Sequence, residues 1–267
     1  MPALAWLTAR KPRMALAITL AVVVALGAYP FWVEPYRIEV THHSITAPIG
    51  STLRIAHLTD IHASGLNRRE RRMLQLVEAE QPHIVLIMGD SISSTSDYPG
   101  VRQVLTRLRA PLGVWIVRGH HEVWHPVKDE QEFYRSAGAK LLLNSSAEVR
   151  DGVWLVGFDD LSGSPDLNEA FSGVPEPAYK IAMYHSPAFV DQVAGRCNLA
   201  LSGHTHGGQV RLPLIGPLWL PTFSGEFIAG WFERRGTRMY VSRGIGTSMM
   251  DGRFLARPEI AIITIGP

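Results

Sequence analysis

Gly203-His204-Thr205-His206-Gly207-Gly208-Gln209 sets two imidazoles two residues apart inside a glycine-rich turn. Two histidines in a flexible turn have no packing rationale, and Gly203, Gly207 and Gly208 let the backbone bend tightly around bulky ligands. Working outward, the same setting recurs in Asp60-Ile61-His62, in Gly89-Asp90, in Gly119-His120-His121-Glu122 and at His185. Each cluster follows an apolar run of strand character, so each lies where a strand ends and a loop begins. Taken singly, a DxH, a Gly-Asp turn or one histidine is most simply structural. Five such clusters at five strand ends point together to a metal site. Carboxylate oxygens and imidazole nitrogens on rigid strand ends are what a hydrolytic metal centre needs. Asp60 and His62 can both turn toward one ion, and the two oxygens of Asp90 can bridge two.

The runs between these clusters set the fold class. Residues 53–58 read as a strand and 68–80 as an amphipathic helix, with Met73, Leu76 and Val77 on one face and arginine and glutamate on the other. Pro82 stops that helix. Strands follow at 83–88 and 113–117, with helices at 101–108 and 128–136. Beyond these the strands crowd together, at 140–143, 153–157, 180–184 and 199–201. Residues 227–232 and 238–241 flank Arg234-Arg235-Gly236 as a hairpin, and 260–265 closes the sheet. The first half is βαβ-like and the second richer in antiparallel signals, which predicts an α/β fold of two sheets with helices outside.

With 267 residues, 46% apolar and 19% charged, the chain can bury one good-sized core, and one catalytic domain with a short appendage follows. A net charge of +2, with no basic run interleaved with aromatics, gives no footprint for nucleic acid. The one cysteine, Cys197, excludes an internal disulfide framework and reads as a buried small hydrophobe.

The appendage is the N-terminus. Arg10, Lys11 and Arg13 precede residues 14–33 (MALAITLAVVVALGAYPFWV), which carry no charged side chain. At about 1.5 Å per residue this run spans a hydrocarbon core of roughly 30 Å. Trp6 lies before it, while Tyr29, Phe31 and Trp32 close its far end as headgroup-boundary aromatics do. Residues 1–33 are therefore read as a basic flank and membrane anchor, 34–51 as a connector and 52–267 as the catalytic domain. The alternative, a cleaved signal peptide, is poorly served by Ala25-Leu26-Gly27-Ala28 with Pro30 close behind. The basic flank predicts a cytoplasmic N-terminus, hence a single-pass protein of the cell (inner) membrane with its catalytic domain outside the cytoplasm.

The ordered blocks Asp60-x-His62, Gly89-Asp90, Gly119-x-His121-Glu122, His185 and Gly203-His-Thr-His-Gly-Gly-Gln209 resemble those of the calcineurin-like metallophosphoesterases, from Leu53 nearly to the C-terminus. Gly157-Phe158-Asp159-Asp160, Val241-Ser242-Arg243-Gly244-Ile245-Gly246-Thr247 and Arg257-Pro258-Glu259-Ile260 resemble the family's membrane-associated YkuE/YaeI-like branch. The resemblance implies a four-layer α/β/β/α sandwich with two divalent metal ions, manganese first and iron or zinc next. Asp60, His62 and His206 would hold one metal, His185 and His204 the other, and Asp90 would bridge them. The remaining ligand of the family is an asparagine; here that position is His120, which can ligate after a shift, point away or weaken the second site. His121 matches the family's histidine beside the metals, able to stabilise the transition state or protonate the leaving group. A phosphohydrolase that cleaves a phosphate ester with a metal-activated hydroxide follows.

The anchor and the apolar, proline-rich stretch at 212–223 (LPLIGPLWLPTF) favour a lipid-linked or amphiphilic substrate. That stretch is either a core-covering loop or a membrane-facing lip beside the site. The branch also allows UDP-2,3-diacylglucosamine pyrophosphate hydrolysis of lipid A synthesis, which needs cytoplasmic access. A non-catalytic binding protein with a degraded second site is the rival that His120 leaves open. Arg243 is either a phosphate contact or a structural arginine, and Trp115, Trp124, Trp154, Trp219 and Trp231 read as core or interface aromatics.

Overall fold

The computed structural model describes residues 27–267 together with Met14 and Thr19. The anchor expected over 14–33 lies for the most part outside the described residues. Among the described residues no helix is long and apolar enough to cross a membrane.

In chain order the strands are β1 (Glu39–Thr46), β2 (Leu53–Leu58), β3 (Ile84–Met88), β4 (Val114–Val117), β5 (Ala139–Leu141), β6 (Ser145–Arg150) and β7 (Val153–Gly157). They continue as β8 (Tyr179–Met183), β9 (Leu199–Ser202), β10 (Arg211–Leu212), β11 (Gly216–Pro217), β12 (Gly230–Arg234), β13 (Thr237–Val241) and β14 (Glu259–Gly266). The helices that matter below are α1 (Arg68–Glu80), α2 (Tyr98–Leu105), α3 (His120–Trp124) and α4 (Glu130–Ser136). One six-stranded sheet runs β1-β14-β2-β3-β4-β5, a second runs β12-β13-β9-β8-β7-β6, and β10 and β11 form a separate ribbon.

Period-two alternation explains why both faces of both sheets are apolar. On the first sheet Leu53, Ile55, Ile84, Leu86 and Met88 face the second sheet and meet Val153, Leu155, Ile181, Met183, Leu199 and Leu201. The intervening Ala56, Leu58, Val85 and Ile87 turn the other way, onto Met73 and Val77 of α1, Val101 and Val104 of α2 and Phe133 of α4. Behind the second sheet, Val156, Ala182 and Ala200 pack on Phe158, Phe189, Val190 and Val193. The result is helix, sheet, sheet, helix. Helix α1 begins where Glu70 accepts a bond from the Asn67 amide at 3.0 Å, which closes a capping box.

Two features differ from the sequence reading. Residues 39–46, inside the segment read as a connector, form β1 and pair in parallel with β14 along its whole length. Strand β14 therefore does not close the sheet; it lies between β1 and an antiparallel β2. Strand β1 (EVTHHSIT) hides in the sequence because an edge strand half open to water needs little apolar content. Within the second sheet the antiparallel character expected of the second half is confined to the edge pairs β6–β7 and β12–β13. The inner pairs β7–β8, β8–β9 and β9–β13 are parallel.

Candidate metal centre

Asp60, Asp90, His120, His185 and His204 each stand two or three residues past the end of β2, β3, β4, β8 and β9 respectively. Parallel strands release their C-terminal loops at one sheet edge, so residues 144 positions apart meet there: the His204 amide donates to Asp60 Oδ2 at 2.9 Å. The turns are forced. Asp60, His62, Asp90, His204 and His206, five of the seven expected ligands, sit at positive φ, between 46° and 73°. Non-glycine residues held there cost of order 1–3 kcal/mol each, a cost that clusters at functional sites.

The donor atoms converge in overlapping groups, all buried except the half-exposed His121. Ligand atoms of Asp60, His62 and His206 lie within 4.8 Å of one another, as do those of His120, His185 and His204. Asp90 belongs to two further groups, one with Asp60 and His185 and one with His62 and His121. Its Oδ2 is 3.2 Å from His185 Nε2 and 3.9 Å from His62 Nε2, so one carboxylate reaches both halves of the centre.

Carbonyl partners orient three of the rings. His185 Nδ1 donates to the Met88 carbonyl at 2.7 Å. His204 Nε2 donates to the Thr222 carbonyl at 2.6 Å, and His121 Nδ1 to the Ser93 carbonyl at 2.9 Å. At His204, whose ring is neutral, the bond fixes the tautomer and leaves Nδ1 with a lone pair, the arrangement seen behind metal-bound histidines. Asp60 Oδ1 and His62 Nε2 are buried with no hydrogen-bond partner among the described residues. Buried polar atoms left bare are costly, and a pair of divalent cations would satisfy them. The residues present fit two such ions.

Electrostatics agree with that donor set at His62 and His204, while Asp60 and His185 are shifted toward their protonated forms by burial and by the Asp90 carboxylate respectively. Burial lowers both His62 and His204 to about 3, so these rings are neutral donors at physiological pH. Burial raises Asp60 to about 6, against the pull of His185. Burial works against charge at His185 too, but the Asp90 carboxylate beside it drives its pKa well up.

Two glycines are required by close approach. A Cβ on Gly119 would enter the Asp90 carboxylate, and one on Gly203 would collide with the Thr59 hydroxyl and the Asp60 carboxylate. The floor beneath is Glu122. Its carboxylate accepts from the amides of Asp90 (2.9 Å), Ser91 (2.7 Å) and Gly119 (2.9 Å), which ties the β3 loop to the start of α3. Burial and the neighbouring Asp90 push Glu122 up to about 7.

The structure answers the question that His120 raises. The ring does not point away: it stacks on His204 and meets His185 edge-on, with centroids 5.6 Å apart for the second pair. Its Nδ1 is 3.2 Å from Asp160 Oδ1. Asp160 is itself held by Ser162 (Oγ, 2.7 Å) and Ser186 (Oγ, 2.7 Å). Glu122 and Asp160 were both within quoted motifs, yet nothing in their spacing marked them as supports of the site.

Other expectations change. Arg243 is structural: it pairs with Glu259 at 3.2 Å and Glu39 at 2.8 Å. Trp115 is core, whereas Trp124 and Trp219 are exposed and line a cavity of about 980 Å³ with His120, His121, His204 and His206. Residues 212–223 do not cover the core: Leu218, Trp219, Pro221 and Phe223 line the same cavity, and Leu212, Leu214 and Ile215 are exposed beyond it.

Residues 53–208 match the model of the calcineurin-like phosphoesterase family. The metallophosphoesterase YkuE of Bacillus subtilis is 29% identical over 271 residues, covering 93% of each chain. The phosphodiesterase YaeI of Escherichia coli is 26% identical, covering 96% of this chain and 98% of its own. A transmembrane protein with metallophosphoesterase domain from Danio rerio is 28% identical, over 80% of this chain and 53% of its own. With its two donor groups joined across Asp90, the chain belongs to the calcineurin-like phosphoesterase family and is a metal-dependent hydrolase of phosphoric esters.

Proposed function

We propose that this enzyme hydrolyses the phosphate ester of an amphiphilic or lipid-linked alcohol at a membrane surface, with its domain outside the cytoplasm. The observation that carries the substrate class is the cavity: Leu218, Trp219, Phe223, Met249 and Met250 line it directly beside His120, His121 and His206. A phosphate at the ligand cluster would leave its alcohol against those apolar side chains. The uncharged run at 14–33 behind Arg10, Lys11 and Arg13 supports the membrane context and the orientation. The Danio rerio relative, named for a transmembrane protein, is consistent with it.

In this reading Asp60, His62 and His206 would hold one cation and His120, His185 and His204 the other, with Asp90 within reach of both groups. When bound, two divalent cations supply a water activated at neutral pH and neutralise charge on the phosphoryl oxygens. The chain does the rest. His121 keeps its Nδ1 hydrogen on the Ser93 carbonyl, so in its doubly protonated form it would pass the Nε2 proton to the leaving oxygen and return to the neutral ring. Glu122 holds the backbone of Asp90 in place. A binding protein with a degraded second site is disfavoured, because His120 falls among the second group of donors.

The test compares phosphate esters that share a headgroup and differ in alkyl length, assayed with full-length protein in detergent below and above the substrates' aggregation range. The expected result is a kcat/KM that climbs with chain length, since each buried methylene contributes up to about 0.8 kcal/mol. A kcat/KM independent of chain length overturns the amphiphile reading and leaves a soluble phosphoester substrate.

A further inference from the structure

We infer that the ribbon β10–β11 and the loop at 248–255 form a docking face that rests on a lipid bilayer, next to the point where the N-terminal run joins the domain. The inference rests on the membrane context proposed above and adds the surface that makes contact.

The ribbon is built to present apolar side chains outward. Its first strand, β10, begins three residues past the His206–Gly208 turn segment. Leu214 is fully exposed and Ile215 is 71% exposed, while Leu218 and Trp219 are more than half exposed. Leu214 also sits at φ 66°, a conformation a leucine adopts at a cost. A strained leucine held in solvent has no folding rationale; its use lies in what it touches. No charged side chain occurs between Leu212 and Phe223.

The ribbon is stitched to a second exposed segment. The Arg211 amide donates to the Phe254 carbonyl and the Phe254 amide to the Gln209 carbonyl, each at 2.9 Å. Gln209 Nε2 donates to the Ser248 carbonyl at 2.8 Å and the Met250 carbonyl at 3.1 Å. This loop carries Met249, which is 84% exposed, together with Met250 and Leu255.

The same loop receives the N-terminal run. The Arg253 amide donates to the Pro30 carbonyl at 2.8 Å, and the Tyr29 ring meets Phe254 edge-on at 6.5 Å. Trp32 and Val33 are exposed there. Ribbon, methionine loop and the end of an uncharged stretch of about twenty residues thus join through backbone bonds into one largely apolar surface, with Asp251 its exposed charge. A bilayer is the one partner that suits both the stretch and the face, and Trp32 and Trp219 have the amphipathic rings favoured at its boundary. Trp219, Met249 and Met250 belong both to this face and to the metal cavity. Docking therefore sets the cavity's rim against the lipid, and an amphiphile reaches the ligands without leaving an apolar environment.

Depth at the ribbon tip tests this without turnover. A nitroxide is placed on Leu214→Cys in the full chain, with buried Cys197 changed to alanine, and the protein is reconstituted into vesicles of phosphatidylcholine and phosphatidylglycerol. The reference is the same label on Glu132→Cys, at an exposed position of α4. The expected result is a ratio of oxygen to water-soluble nickel collision at 214 several-fold above that at 132. An equal ratio overturns the inference, as does shielding of 214 from both reagents, which would mean a protein partner. Unchanged hydrolysis of a soluble phosphate ester shows that the labelled chain is folded. Lipid exposure at 214 stands whichever substrate is found, so failure of the amphiphile reading is seen separately.

Discussion

The imidazole of His120 lies flat on that of His204, with centroids 4.5 Å apart and planes 10° from parallel. His120 occupies the position where the family's asparagine is expected, so stacking brings a third nitrogen donor to the side of the centre that already holds His185 and His204. Nitrogen-rich sites favour zinc, cobalt or iron over manganese relative to sites with more oxygen. His120→Ala is expected to lose one of two cations and to lower kcat about 100-fold or more, in keeping with loss of one ion of a two-metal clamp. His120→Asn is expected to keep both ions while its zinc-to-manganese affinity ratio falls by about tenfold at one site. Competitive metal titration of the purified protein reads both.

Glu122 acts through the backbone of Asp90 rather than as a ligand itself. It takes the amides of Asp90, Ser91 and Gly119, so Glu122→Ala strands three buried donors and frees the loop that aims the bridging carboxylate. Metal affinity is expected to fall about 10–100-fold, the range for an outer-shell partner. Affinity measured by calorimetry would separate this from simple destabilisation, because Glu122→Gln, which keeps an acceptor oxygen, should recover part of it.

Gly203→Ala tests the packing behind Asp60. The added methyl has no room between the Thr59 hydroxyl and the Asp60 carboxylate, so the carboxylate must turn. Overpacking of this kind costs about 1–3 kcal/mol. The expected outcome is a folded protein with a lower Tm and weakened binding at the Asp60, His62 and His206 group, read by thermal unfolding with and without added metal.

The Glu259–Arg243 pair carries a pH signature away from the metal ligands. Burial alone would raise the Glu259 pKa, but Arg243, with the Tyr240 hydroxyl, brings it from 4.5 to about 2. A carboxylate whose folded pKa is depressed contributes stability that is full above its unfolded pKa and lost as pH falls through the folded one. The window here runs from about pH 4.5 down to about 2, and the contribution is roughly 3 kcal/mol. Unfolding free energies of wild type and Glu259→Gln should differ most above pH 5 and converge toward pH 2. A difference that stays constant across that range would contradict the assignment.

Most of the fold was legible because its inner strands are buried on both faces and read as continuous apolar runs. Ile84–Met88 and Leu199–Ser202 are of this kind. Strand β1 was not legible, since its partner β14 lies 220 positions away in register (Glu39 with Glu259) and its own residues are polar. The expected ligands were legible as short motifs at strand ends, where local spacing carries the signal. Their supports were not: Asp160 meets His120, and the Met88 and Thr222 carbonyls meet His185 and His204. A carbonyl leaves no trace in residue identity, and long-range pairings have no spacing to read.

Asp90 belongs to donor groups on both sides of the centre, so this one carboxylate would join two metal sites into a single phosphoesterase centre. Metal content per chain, measured by elemental analysis beside the rate of phosphate-ester hydrolysis, tests it in wild type and Asp90→Ala. Two divalent ions per wild-type chain, with hydrolysis abolished by chelation and restored by metal, is the predicted result, and Asp90→Ala should hold one ion or fewer with turnover lost. Hydrolysis that survives complete chelation, or Asp90→Ala that keeps two ions and the wild-type rate, would contradict it.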